Sequence, residues 1–416
     1  MKHLGWNFAI IILVTACNSM PEHHPKRDFA GDARTVAEQW MMAEDSMIIT
    51  LPAGHFLFNR SLILEGVKYV TVVGAGEKQT VLSFKNQQNG AEGILVKNCE
   101  NITLKNFTIE DAPGDNIKVT DTKGITFQNI TCGWTGKVSA KNGAYGLYPV
   151  LCEDVLIENC TVFGASDAGI YVGQSERVVI RNNKAYHNVA GIESENSSFV
   201  KIYGNEAYDN TGGLLIFDLP GLTRYGHDVE AYNNKLTNNN LVNFAPKGNI
   251  VAMVPKGTGA MILATRNVHL YNNEIIDNKT VTIAIISYEL VEALSGSHAG
   301  EESTVGSTQT INENYTLDTL YNPYPGNVLI ENNTLKNKYK ITDTGSDFGK
   351  LFLYKFGFSR PQVIWDGIRS KEYYTTTGAV NPDYQICVKD DVAYADLDLG
   401  NNMKNIKENS DEMQCK

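Results

Sequence analysis

The 416-residue chain is short of cations, of paired cysteines and of long apolar runs. Thirty-six Lys and Arg stand against 47 Asp and Glu, a formal net charge of −11. With no basic stripe to neutralise phosphates, a binder of duplex nucleic acid is excluded from the expected classes. None of the seven cysteines forms a CxxC pair, so neither a zinc site nor covalently attached haem is expected. Beyond Asn18 no segment is apolar enough to span a bilayer, and the body is expected to be soluble. P-loop, HExxH, GxSxG and strand-following GxGxxG signatures do not stand out.

What is present is a repeat. The segments "GILVKNCENITLKNFTIED", "NIKVTDTKGITFQNITCGW", "GIYVGQSERVVIRNNKAYHN" and "GIESENSSFVKIYGNEAYDN" align, with weaker copies downstream to "GNVLIENNTLKN". Aligned on Ile102, Ile125, Val155, Val178 and Val200, the steps are 23, 30, 23 and 22 residues, the long step carrying the insertion "GKVSAKN". Each unit holds three short runs of period 2 between Gly, Asn, Ser and Asp, and none holds a 3.6-period run ten residues long. Three strands per coil of about 22 residues predict an all-β, right-handed single-stranded parallel β-helix. Ile170, Val172, Val178, Ile180 and Ala185 are expected to point inward. Asn106, Asn129, Asn159, Asn182, Asn233, Asn272 and Asn332 share one register and are expected to stack as an amide ladder. Cys99, Thr122, Cys152, Ser175, Ser197 and Thr265 share a second, a ladder of small residues. His187 aligns with Asp111, Asp209 and Asp277 and reads as a solvated turn residue.

The ends have their own patterns. Lys2 followed by the apolar stretch Phe8 to Val14 reads as an export signal. "VTAC" (14–17) resembles the bacterial lipobox, which implies cleavage before Cys17 and lipidation of that cysteine. The expected layout is a signal peptide over 1–16, a polar tether over 17–31, a β-helix over 32–338 and a C-terminal cap over 339–416. In "DARTVAEQWMMAEDS", Val36, Trp40 and Ala43 share one helical face, a short N-terminal capping helix. Cys387 and Cys415, both in the polar tail of an exported chain, are a candidate disulfide.

"LPAGHF" and the recurring "GIYV…NN…N" pattern resemble the right-handed β-helix proteins of the pectin-lyase-like superfamily, over about residues 46–337. With the tail "YQICVKDDVAYADLDLGNN" the chain more narrowly resembles a group of exported bacterial parallel β-helix repeat lipoproteins. That resemblance implies placement in the periplasm or outer membrane. It also implies a c-type cytochrome encoded nearby as a candidate partner. The superfamily contains polysaccharide lyases, uronate epimerases, hydrolases and non-catalytic binders, and fold alone does not choose among them.

The central residue of each coil's first strand faces outward: Leu95, Lys118, Tyr148, Tyr171, Glu193, Leu215 and Met261 form one stripe. Lys97, Thr120, Gly173, Glu195 and Phe217 form a second, and long insertions lie at 136–142, 218–228, 241–257 and about 289–326. Tyr148 and Tyr171 with Lys118 and Glu193 are the expected binding face for a polysaccharide or an envelope protein. The alternative is C5 proton abstraction from a uronate glycan, with Lys118, Tyr148 and Tyr171 as candidate catalytic residues and Arg224 and His227 of "LTRYGHD" as walls. Glu193 and Glu195 are candidate oxygen ligands for Ca²⁺, no other cofactor or metal being expected. Asp167 with Glu193 would be the carboxylate pair of a hydrolase, but the fold's hydrolase motifs ("NTD", "GHG", "RIK") are absent, and "YGHD" lacks the Pro and leading Asp of the epimerase "DPHD".

Overall fold

The structure is a computed structural model and describes residues 19–295 and 315–415. Cys17 and the apolar stretch before it lie outside the described residues, as does part of the longest insertion. Among the described residues no helix is long and apolar enough to cross a membrane.

The short alternating runs stack as parallel strands, and the coils wind into a right-handed parallel β-helix with three sheets. The alignment anchors lie directly above one another: Ile102 pairs with Ile125, then Val155, Val178, Val200, Val229, Val268 and Val328 follow in register. Inward positions are β-branched because a branched side chain fills a pleated, wholly buried surface well. Ile170, Val172, Val178, Ile180 and Ala185 are all fully buried in one continuous core.

Of the expected amide ladder, Asn129 Nδ2 donates to Asn106 Oδ1 at 3.0 Å, but the long buried ladder lies one residue later than the sequence pattern suggests. Asn106, Asn129, Asn159, Asn182, Asn233, Asn272 and Asn332 all take left-handed backbone, with φ between 52° and 62°, and Gly204 fills the same place at 67°. They make the turn between the second and third strands, a conformation that Gly and Asn tolerate best. The residue after each turn points inward. Asn183, Asn205, Asn234 and Asn273 form a buried ladder in which each side-chain oxygen accepts both the backbone and side-chain N–H of the residue one coil earlier. Asn333 continues it and Asp390 ends it. A second ladder, Asn188, Asn210, Asn239 and Asn278, runs along the next corner. The small-residue ladder is hydrogen-bonded as stacked coils require, from Cys152 N to Ser175 Oγ at 3.1 Å and from Ser175 N to Ser197 Oγ at 3.0 Å.

Helix α1 (Ala33–Met41), capped by the Asp32 carboxylate, seals the first coil with Val36 and Trp40 buried and Ala43 packed beside them. Trp40→Ala is expected to cost about 3–5 kcal/mol, read as a lowered urea midpoint, because the lid has no other large side chain over that coil.

Stacking continues past residue 338. Val363–Trp365 adds to Val281–Ile286, Tyr394–Asp396 adds to that, and Ile386–Val388 adds to Gly326–Glu331. Inserted loops between these strands hide the period in the sequence. The last edge is covered by antiparallel Lys407–Glu408, and a Cys387–Cys415 disulfide ties the tail with a Cα–Cα distance of 5.0 Å.

The segment after residue 18 is not a free tether. Glu22–His23 pairs antiparallel with Gly136–Lys137, His23 meets His187 at 3.0 Å, and Arg27 makes a bidentate pair with Glu110. His187 is therefore half-buried under this strap rather than solvated. Burial, with His187 and His24 nearby, holds the His23 imidazole down to about 4.

Candidate functional site

The outward stripe of the first sheet has the expected register, with Tyr148 over Lys118 and Glu193 between Tyr171 and Leu215. It is not an open face. Tyr148 is 5 % exposed, Tyr171 2 %, Glu193 0 %, Glu195 1 % and Asp167 1 %. The insertions expected to wall a groove fold across it instead and make a second apolar core outside the β-helix. Ile250, Val251 and Val254 of the 241–257 segment pack down, the segment being braced by Asn243 Nδ2 on the carbonyls of Val251 and Val254 at 3.0 Å each. Leu219, Tyr288 at the start of α2 (Tyr288–Ser295), Tyr321 and Phe352 of α3 (Asp347–Phe356) complete the cover. Small residues at Ala168, Ala190 and Gly212 let the cover approach the sheet.

Under it lies a chain of carboxyl groups amid tyrosines. Tyr145, Tyr148 and Tyr171 form a triangle with ring centroids 4.4–5.0 Å apart. Tyr171 donates to Glu195 Oε1 at 2.7 Å and Tyr145 to Asp167 Oδ2 at 3.4 Å. Both oxygens of Glu193 and Oδ1 of Asp167 are buried without a hydrogen-bond partner among the described residues. Burial pushes Asp167 up to about 7 and Glu195 up to about 8, each further raised by its acidic neighbours, and raises Glu193 well above the usual carboxylate range. Asp115 at the rim is pushed up to about 7 by the same loss of water, and Asp218 at the far end is also raised. A carboxyl without water or a cation is tolerated by keeping its proton. Such groups can donate or accept a proton near neutral pH.

The structure brings together Asp167, Tyr148, Tyr171, Glu193 and Glu195, with Lys118 at the edge. The Lys118 ammonium lies 5.1 Å from the Tyr148 ring centroid and 4.0 Å from Glu92. It does not bring in the two expected wall residues. Arg224 reaches Glu153 at 3.7 Å and Glu176 at 3.9 Å on the second sheet, and His227 bonds Asp228 at 2.6 Å beside Phe199. The loop carrying Arg224 turns toward that sheet, where Asn196 Nδ2 holds the carbonyls of Leu219 and Arg224, and His227 opens the second-sheet strand His227–Tyr232. Glu193 and Glu195 share one strand face, yet among the described residues no three acidic, His or Cys side chains converge as a metal site needs. Sequence reading missed Asp115, Asp218 and Tyr145. Tyr145 opens its strand opposite Ala168, so its register was available, whereas the two aspartates lie at strand ends where alternation gives no direction.

This fold, with its packed interior and insertions gathered on one sheet, defines a right-handed parallel β-helix. The family model described as "Right handed beta helix region" matches residues 69–223. Among solved structures, the A-module of the mannuronan C-5 epimerase AlgE4 of Azotobacter vinelandii is 13 % identical, covering 89 % of this chain and 92 % of its own, with a TM-score of 0.47. The periplasmic alginate epimerase AlgG is 13 % identical over 72 % of this chain and 74 % of its own, at 0.39. A variant of DFA-IIIase from Arthrobacter chlorophenolicus A6 is 11 % identical over 78 % and 94 %, at 0.39. No curated protein matches the chain.

Proposed function

We propose that this protein is an exported, lipid-anchored β-helix that binds a polysaccharide or an envelope protein through an outer face and does not turn it over. The observation that carries this reading is the filled first-sheet face: Tyr148, Tyr171, Glu193 and Glu195 lie in a packed interior, where a glycan chain has no room. The second sheet supplies an open alternative. Tyr203, Tyr232 and Tyr271 stack flat at 4.8 Å per step, their edges turned outward between Arg181 and Glu331 in the same register. Such a row offers hydroxyls at the coil spacing to a chain-like partner, polysaccharide or protein. The c-type cytochrome implied by the narrower resemblance is one protein to test.

The alternative, a uronate lyase or C5-epimerase, is favoured by one observation, the buried carboxyls beside Tyr171, whose pKa burial raises. It requires the 241–257 cover to lift and Ca²⁺ or Lys118 to neutralise the substrate carboxylate. Incubation with uronate polysaccharides in D₂O separates the two. The binding reading expects retention on the polysaccharide with neither ultraviolet absorbance from unsaturated product nor deuterium at C5. Turnover that is lost in Lys118→Ala or Tyr171→Phe would sink it.

A further inference from the structure

The strap of residues 19–27 crosses the turns after the third strands instead of belonging to a coil. Glu22–His23 pairs antiparallel with Gly136–Lys137, and Val138 N donates to the Pro21 carbonyl at 3.0 Å. So short a pairing does not hold by itself. Side chains fix it, Arg27 on Glu110 at one end and His23 at the other. The His23 ring lies on Phe163 at a centroid distance of 4.4 Å, and its Nε2 meets His187 Nδ1 at 3.0 Å. Beneath the strap Phe163, Tyr186 and Tyr208 stand in one register on successive third strands, their rings stacked 5.7 and 5.3 Å apart. Met20 and Pro21 also wall a cavity of about 430 Å³, which His187 and Asp209 share with Leu241 and Val242 of the 241–257 cover.

Two imidazole nitrogens at that distance need a proton on one and a lone pair on the other. The contact fails when both rings are cations, because like charges so close in a half-buried place repel. The charged groups around the pair do not offset this. On the strap Glu22 is bound by His24 and stands opposite Lys137 of the paired strand, and Arg27 is spent on Glu110. On the third strands Lys184 pairs with Glu206 at 4.0 Å, and Tyr186 faces the pair as a neutral phenol. At the turns Asp111 is held by Thr135, while Asp209 favours the charged form of His187 but is outweighed by burial.

We propose that the His23–His187 contact is an acid-sensitive latch: with the pair neutral it holds the strap across the third strands, and proton uptake releases the strap and uncovers the aromatic row beneath. Burial holds both imidazoles below their ordinary value of 6.5, His23 down to about 4. The latched form therefore binds fewer protons than the released form. Linkage makes the latch strongest above about pH 6.5 and weaker as pH falls from there towards 4. His23 alone makes release about twentyfold more favourable at pH 5 than at pH 7.

Hydrogen exchange of the full-length protein at pH 7 and pH 5, corrected for the intrinsic rate at each pH, reads the latch through residues 134–140, where the Val138 amide is bonded to the strap. Protection there is expected to fall about twentyfold at pH 5, while the coil strand Ser198–Tyr203 keeps its own. His23→Phe keeps a ring on Phe163 but takes up no proton, and is expected to show equal protection at both pH values. Glu110→Gln removes the carboxylate that binds Arg27, and is expected to retain the fall. Equal protection of the parent at pH 7 and pH 5, or a fall of the same size in His23→Phe, overturns the latch. Should His23→Phe leave the strap open at both pH values, Glu110→Gln decides: a retained fall supports the latch, and its absence assigns the pH response to the Arg27 pair and overturns it.

Discussion

Between pH 5 and pH 9 the stability of this protein is expected to fall, and the triple variant Asp167→Asn/Glu193→Gln/Glu195→Gln is expected to lose most of that fall. Unfolded, these carboxyls titrate near the ordinary aspartate and glutamate values of 3.8 and 4.5, whereas in the folded chain Asp167 is pushed up to about 7 and Glu195 to about 8. The folded state therefore binds more protons than the unfolded state across the interval between, and linkage makes unfolding free energy decrease with rising pH there. The contribution is fully present below about pH 4 and is lost as pH rises through 7 and 8. Each tenfold change in the acidity of one carboxyl corresponds to about 1.4 kcal/mol. Water entering as the cluster ionises offsets much of the sum, which leaves about 3 kcal/mol as the expected difference between parent and variant at pH 9. Urea midpoints at pH 5 and 9 check it. Parallel pH curves for the two proteins would mean that the cluster is already hydrated or holds a cation in solution.

Glu193 is the member that most needs explaining, since neither oxygen has a hydrogen-bond partner among the described residues and the side chain is fully buried. An ordinary scaffold has no reason to keep an acid there, because a Leu such as Leu215 in the same stripe packs at no electrostatic cost. Retaining three acids and three tyrosines in that packed interior costs stability that an all-apolar face would avoid.

The second large effect concerns the ladder. Asn205→Ala is expected to destabilise by about 3 kcal/mol or more, and Asn182→Ala by about 1 kcal/mol. Asn205 Oδ1 accepts the backbone N–H and the side-chain N–H of Asn183, and its amide donates to the Ile180 carbonyl and to Asn234. Removing it leaves the Asn183 backbone N–H without its acceptor in a dry interior and takes one bond each from the Asn183 amide, the Ile180 carbonyl and Asn234 Oδ1. Asn182 is exposed in the left-handed turn with φ 57°, so its replacement costs backbone strain alone, and Asn182→Gly is expected to be nearly neutral. Urea melts of the three variants are the measurement. Equal losses for Asn182→Ala and Asn205→Ala would contradict the assignment of structural load to the inner residue.

The two kinds of asparagine sit side by side, as in "RNNK", and the sequence shows only that both recur. Which of them turns the chain and which bonds the stack depends on side-chain direction at a bend, and bends do not obey alternation. The same limit explains the site. Alternation correctly placed Tyr171 over Tyr148 and beside Glu193 on the outer side of the first sheet, because direction along a strand is set by its pleat. It carried no information about Arg224, which hangs on a loop turned aside by Asn196, while His227 belongs to a strand of the second sheet and not of the first.

Whatever repeats was legible in the chain: the β-helix, its inward residues and the outward register of the tyrosine and glutamate stripe, together with the lid built on Val36 and Trp40. These follow from local periodicity and from the need of each coil to bury one face on its neighbour, which every unit states again. Whether that stripe meets water was settled at the tertiary level. Segment 241–257, α2 and α3 occur once each, have no repeat to fix them, and are held by apolar side chains whose partners come from several distant coils. Their closure changes Glu193 and Glu195 from exposed carboxyls into buried ones whose pKa is raised, because the loss of water over a carboxyl, rather than its place in the repeat, disfavours its charged form.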